Sequence, residues 1–181
     1  MKKVGSLSFQ GADANFFAEN LKRIFTRITH SDPIQSDSFD SCVARSFCIS
    51  ADMAHAYNPN YGEKYQPQHK PEIHKGVTIK INPQSRYATD SEGSAIIKDL
   101  CTRRNLLFQE FIVKQDSPCG TTIGPIISGK LGIKTVDIGM PQWAMHSIRE
   151  MCGAVDLYYY RTLFEEFYLN YENVVGNLIK K

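Results

Sequence analysis

The stretch "GVTIKIN", residues 76–82, alternates apolar and polar side chains, with Val77, Ile79 and Ile81 on one face and Thr78 and Lys80 on the other. A period of two is that of a β-strand with one buried face. Downstream, the Thr89, Asp90, Ser91 cluster opens a helix marked by Ala95, Ile96, Ile97, Leu100 and Cys101. "LLFQEFIV" (106–113) reads as a strand, "DSPCGTTIGP" (116–125) as a loop, and Thr121 to Leu131 as a helix closed by Gly132. Pro125 is tolerated there only within the first turn. "IKTVDIG" (133–139) is another strand, and a last helix covers roughly Val155 to Tyr171.

Upstream, "ARSFCISAD" (44–52) predicts a short buried strand ending at Asp52. Between it and Val77 lies a polar and aromatic segment without periodicity, longer than an ordinary connection, and segments of that kind are functional or disordered. "SDPIQSDSFDS" (31–41) reads as a loop, and Phe16, Phe17, Leu21, Ile24, Phe25 and Ile28 set a helix within Ala12 to His30. Strands thus alternate with helices three times, which predicts an α/β fold: a layered α/β/α sandwich around a largely parallel sheet, in one domain spanning 1–181. Sites in such folds gather at strand carboxyl ends. Asp52, the Asp116–Gly120 loop and a Gly139–His146 loop are expected to converge there.

The 181 residues carry 21 basic and 19 acidic side chains, a net charge of +2, with no basic stripe to favour nucleic acid. Five cysteines (42, 48, 101, 119 and 152) form no CxxC pair, and no run reaches the roughly 18 apolar residues of a membrane span. The expectation is a soluble cytoplasmic protein with reduced thiols.

Five residues could carry chemistry. Asp52 and His55 form D-x-x-H, whose carboxylate and imidazole suit zinc, although Asp52 also fits a turn or helix cap. Cys119 precedes a helix, where a thiol is activated, or else it fills a tight glycine-rich turn. Lys80 is either solvated or a cation for an acidic group. His146, in "PQWAMHSIREM" (141–151), is open to three readings: core residue, surface residue or ligand.

Together "VGSLSFQGA", "SADMAHAYNPNY", "HKGVTIKIN", "SPCGTTIGP" and "MPQWAMHSIREM" resemble, in order and spacing, the aspartyl aminopeptidase family. The resemblance implies a co-catalytic enzyme with two zinc ions that removes N-terminal Asp or Glu from peptides, in a homo-oligomer. It implies that Asp52 and His146 are metal ligands and that His55, beside Asp52, contacts the reacting group. It further implies that Lys80 reads the acidic side chain and that Cys119, Gly120, Thr121, Gly139 and Met140 line the substrate pocket.

The same resemblance implies two departures. Lys2 stands where the family has its general-base glutamate, and Lys3 where it has a glutamate ligand; a cation there repels a dication. A histidine and the bridging aspartate belong to sequence upstream of Met1, as does an inserted dimerisation domain. The expectation is therefore the C-terminal half of a catalytic domain, inactive alone. The alternatives are a non-catalytic scaffold that binds acidic peptides or partner subunits, and a thiol enzyme using Cys119.

Overall fold

The strand expected at "GVTIKIN" lies inside the sheet. The computed structural model describes residues 5–29 and 36–179. In chain order it has α1 (Phe16–Thr29), α2 (Ser36–Ala44), β1 (Phe47–His55), a short 3₁₀ helix (Pro59–Lys64), β2 (Val77–Ile81) and α3 (Ser91–Arg103). There follow β3 (Phe108–Ile112), α4 (Ile123–Leu131), β4 (Lys134–Trp143), β5 (Met151–Cys152) and α5 (Ala154–Ile179).

The strand order is β1-β4-β2-β3, with β5 on β4. The long ladders are parallel: β1 on β4 from Phe47↔Lys134 to His55↔Gln142, and β2 on β3 from Val77↔Phe108 to Ile81↔Ile112. The antiparallel contacts are short, Thr78↔Gly139 and Ile79↔Ile138 between β2 and β4, and Gln142↔Cys152 and Trp143↔Met151 at β5. The sheet is mostly parallel, as expected, but β2 and β3 run against β1 and β4.

One face of the sheet carries the core. Val77, Ile79, Val136 and Ile138 are fully buried against Ile96, Ile97 and Leu100 of α3 and Leu163 and Val174 of α5. Asp90 caps α3, its carboxylate accepting from Gly93 N at 2.7 Å. On the other face lies α4, whose Gly124 sits so close to β4 that a Cβ there would fall 2.4 Å from the Asp137 carboxylate. Helices on both faces make the α/β/α sandwich. Gly132 ends α4 in the left-handed conformation, φ 66°, and Pro125 falls in its first turn.

Three expectations need correction. Residues 36–44 form α2 rather than a loop, because Phe39 and Val43, four apart, are both buried and Phe39 meets Phe25 edge to face at 5.6 Å; tertiary packing overrides the Ser/Asp-rich composition. The remainder of that stretch, 31–35, lies outside the described residues. Strand β1 continues three residues past Asp52, and β4 runs through Gly139 to Trp143, so the 139–146 segment is a strand end followed by a turn. Finally, the 116–120 loop follows β3, which runs antiparallel to the β1–β4 pair, so it leaves the opposite edge of the sheet and folds back over the polar face.

The long segment after β1 is held by specific bonds. Tyr65 Oη donates to Ala56 O at 2.7 Å, Trp143 Nε1 to Tyr57 O at 2.9 Å, and Tyr57 N to Pro71 O at 2.6 Å. Further along, Asp156 in the first turn of α5 accepts from His74 N at 2.7 Å and Gly76 N at 2.8 Å. That clamp fixes the left-handed residues His74 and Gly76 just before β2.

Candidate active site

The polar face of β2 is buried, not solvated: Thr78 is 0% and Lys80 2% exposed. Beside them Asp137, fully buried in β4, accepts from Ser50 Oγ at 2.6 Å and from Ala88 N at 2.6 Å. Thr89 bonds both the amide and the carbonyl of the same residue. A buried carboxylate needs such partners, and here they pin the 82–90 connection against the sheet.

Lys80 Nζ lies 3.7 Å from Asp52 Oδ2 and donates to Met53 O at 3.3 Å. It also stands 5.2 Å from the centre of the Tyr87 ring, within cation–π range. Burial lowers the Lys80 pKa, opposed by the charges of Asp52 and Asp137 and by Cys119. An ammonium has three N–H donors, and this one shares them between Met53 O and the Asp52 carboxylate, both at long distance. Its ion-pair partner Asp52 has a side chain 58% exposed. The Cys119 thiol donates to Gly120 O at 3.1 Å and is hydrogen-bonded to Tyr87. Burial, then that bond, raises the Tyr87 pKa and keeps its hydroxyl protonated.

His55 ends β1, and His146 follows the end of β4, so the parallel pairing of these two strands brings them to one edge. Loss of hydration lowers the His55 pKa first, followed by the charges of His146 and Lys80, with Asp52 opposing. A neutral imidazole is the result. His146 is exposed and adopts a left-handed backbone, φ 72°, two residues after Ala144 at φ 57°. Two non-glycine residues with positive φ in one turn are strained, and strain of this kind clusters at functional sites. The amide of His146 donates to the Glu150 carboxylate, and Ser147 N to Ala144 O at 2.9 Å, which together hold the turn.

Asp52, His55, Lys80, Cys119 and His146 are thus brought together. Thr121 is exposed and bonds Arg86 O at 3.2 Å, while Gly120 faces open space. Two further nominated residues, Gly139 and Met140, are built into the sheet. A Cβ on Gly139 would lie 2.6 Å from Asp52 O, so glycine is needed for the close approach of β1, and the Met140 side chain packs against the apolar core. Lys2 and Lys3 lie outside the described residues.

Among the described residues no three His, Cys, Asp or Glu side chains converge as a metal site. Asp52 Oδ1 accepts from Met53 N at 2.7 Å, and Oδ2 faces Lys80. The residues present do not fit a complete catalytic zinc site, which takes three protein ligands.

Reading the sequence missed Asp137, Tyr87 and Asp156. The first left a signal, a lone carboxylate in the apolar run "TVDIG". Asp156, just before the aromatic run of the last helix, and Tyr87, in "SRYATD", left none, because their roles come from contacts distant in sequence.

A profile of the aminopeptidase I zinc metalloprotease (M18) family matches residues 2–168. The chain belongs to that family. The aspartyl aminopeptidase of Dictyostelium discoideum is 46% identical over 170 residues, covering 92% of this chain and 35% of the relative. Aspartyl aminopeptidase 4 of Saccharomyces cerevisiae is 42% identical over 182 residues, covering 98% and 37%. Among solved structures, the fold resembles a chain in a cryo-EM structure of the Ape4 and Nbr1 complex, with a TM-score of 0.87, 40% identity and coverage of 96% of this chain and 32% of that one. It also resembles the S. cerevisiae mApe1 dodecamer, with a TM-score of 0.78, 29% identity and coverage of 97% and 37%. The chain spans about a third of the length of these relatives. The M18 family consists of zinc metallo-aminopeptidases, hydrolases by class. Among the described residues no helix is long and apolar enough to cross a membrane.

Proposed function

We propose that this chain supplies the acidic-residue recognition and part of the metal site of an aspartyl aminopeptidase, an enzyme that hydrolyses Asp or Glu from peptide N-termini. The observation that carries it is Lys80, a cation 2% exposed on the face of β2 away from the core, at the inner side of an exposed Asp52. A buried lysine is costly unless something uses its charge, and a substrate carboxylate beside Asp52 would complete the loose contacts this ammonium makes with Met53 O and Asp52. The aspartyl aminopeptidases among the relatives support the same substrate class.

In this reading Asp52 and His146 each contribute one ligand to a two-zinc centre, Lys2 and Lys3 stand where the general base and a further ligand belong, and a histidine and the bridging aspartate are supplied by upstream sequence. Zinc supplies polarisation of the scissile carbonyl and a nucleophilic hydroxide when bound. His55, held neutral, donates a hydrogen bond to the reacting group. Tyr87 and Cys119 close off the side of Lys80, keeping water from competing with the substrate carboxylate. Gly120 and Thr121 line the approach. The assembly is a homo-oligomer, as the dodecameric relative suggests, working in the cytoplasm. With only two ligands here, and lysines at positions 2 and 3, the chain alone does not hydrolyse peptides.

The test is hydrolysis of N-terminal aspartyl peptides by a longer protein carrying this chain together with the upstream ligands and glutamates at positions 2 and 3. His146→Ala abolishes turnover if His146 holds metal; an unchanged rate removes that role.

A further inference from the structure

Next to His55 lies a cavity of about 540 Å³ that neither the metal ligands nor Lys80 occupy. Its apolar walls are Tyr61, Tyr65, Phe111, Val113, Pro118 and Trp143, with Asn58, Lys64, Ser117 and Gln142 as the polar part of the lining, and Met145 brings it up to His146. A volume of this order holds a small ligand or a large side chain. The polar atoms of two wall residues are already engaged, Tyr65 Oη with Ala56 O at 2.7 Å and Trp143 Nε1 with Tyr57 O at 2.9 Å. Their rings are therefore fixed in place and offer apolar surface, so an occupant pays little for ordering the site.

The position of the cavity says which part of a peptide enters it. Phe111 is the register partner of Lys80 across the β2–β3 ladder, and its ring lies 6.5 Å from that of Tyr87, which in turn faces the ammonium. Phe111 thus divides the Lys80 compartment from the cavity, while His55 and the His146 turn stand at the cavity's mouth. A peptide whose first side chain reaches Lys80 and whose first carbonyl lies by His55 brings its second side chain to the mouth of the cavity.

We propose that this cavity is the binding site for the residue after the N-terminal acidic one, and that it selects large apolar and aromatic side chains. The inference rests on the acidic-peptide reading above. It adds a second determinant of specificity: the residue released on the far side of the scissile bond.

Trp143 is the only tryptophan in the chain and forms one wall of the cavity, so its fluorescence reports occupancy. Aspartyl-phenylalanine, aspartyl-glycine and asparaginyl-phenylalanine are titrated into the 181-residue chain, with isothermal calorimetry as a second readout. Aspartyl-phenylalanine is expected to bind at least about tenfold more tightly than aspartyl-glycine, the scale of burying one aromatic side chain, and to shift the Trp143 emission. Tyr61→Ala, at a half-exposed position of the 3₁₀ helix, and Val113→Phe, which fills the cavity, should each bring the affinity ratio towards one.

Equal affinity for the two aspartyl peptides overturns the proposal, as does an unchanged ratio in both variants or no response by either readout at millimolar peptide. The two readings fail separately. If asparaginyl-phenylalanine binds as well as aspartyl-phenylalanine while the aromatic preference persists, acidic recognition falls and the cavity stands. If both aspartyl peptides bind alike, and better than the asparaginyl peptide, the cavity falls and acidic recognition stands.

Discussion

The two faces of β2 are equally buried and opposite in purpose. Val77 and Ile79 lie on the apolar face against α3 and α5, and Thr78 and Lys80 lie on the other, yet none of the four is more than 2% exposed. Burial on the apolar face stabilises the fold. On the polar face it costs desolvation: burial lowers the Lys80 pKa, and Thr78 Oγ1 is a buried oxygen with no hydrogen-bond partner among the described residues. Neighbouring positions on one strand thus separate what holds the domain together from the face on which recognition is proposed.

The comparison is most easily broken on the apolar side. Ile79→Ala should lower stability by about 2–5 kcal/mol, the range for truncating a fully buried aliphatic side chain, read from urea unfolding. A loss under about 1 kcal/mol would mean that the core is not centred on this face. On the polar side Asp137 is the structural exception. Asp137→Ala strands Ser50 Oγ and Ala88 N and should cost about 1–3 kcal/mol, with faster hydrogen exchange in the 82–90 connection as the local signature.

A third test sharpens the apolar side by pH. Cys101 is buried in α3 with its pKa pushed up to about 12 from an ordinary 9.0 by desolvation. A raised folded-state pKa gives stability that is fully present below pH 9.0 and lost between there and about 12. From pH 9 to 10 this group alone should cost about 1 kcal/mol. Cys101→Ala should flatten the alkaline slope by that amount; an unchanged slope would show that the thiol is solvated. The smallest expected effect on stability is Lys80→Met, within about 1 kcal/mol of wild type, because an apolar group of similar length removes a buried charge while Asp52 stays hydrated.

The apolar half of this comparison was readable from the sequence, because strand alternation and helix periodicity are local signals that packing reinforces. Ile79, Ile96, Ile97 and Leu100 all stand where their spacing puts them. The polar half was only partly readable. Alternation gave Lys80 a face but could not say that α4 and the 116–120 loop cover that face, which follows from the antiparallel turn of β2 against β4. The same reversal sends the 116–120 loop back from the far edge, where a uniformly parallel sheet would have started it at the site. Asp52 and His146 were nominated as ligands together from the family resemblance, and their placement towards one edge of the sheet follows from the parallel register of β1 and β4. Serine and aspartate around Phe39 disguised α2, whose stability comes from contact with α1 rather than from its own composition.

The most direct test of a buried lysine kept for recognition is peptide discrimination by Lys80→Met. Wild type and variant are titrated with aspartyl-phenylalanine and asparaginyl-phenylalanine by calorimetry, with thermal melts alongside. A preference for the aspartyl peptide in wild type that vanishes in a variant of unchanged melting temperature is the predicted result. A variant that melts normally and still prefers the aspartyl peptide would contradict the assignment of Lys80.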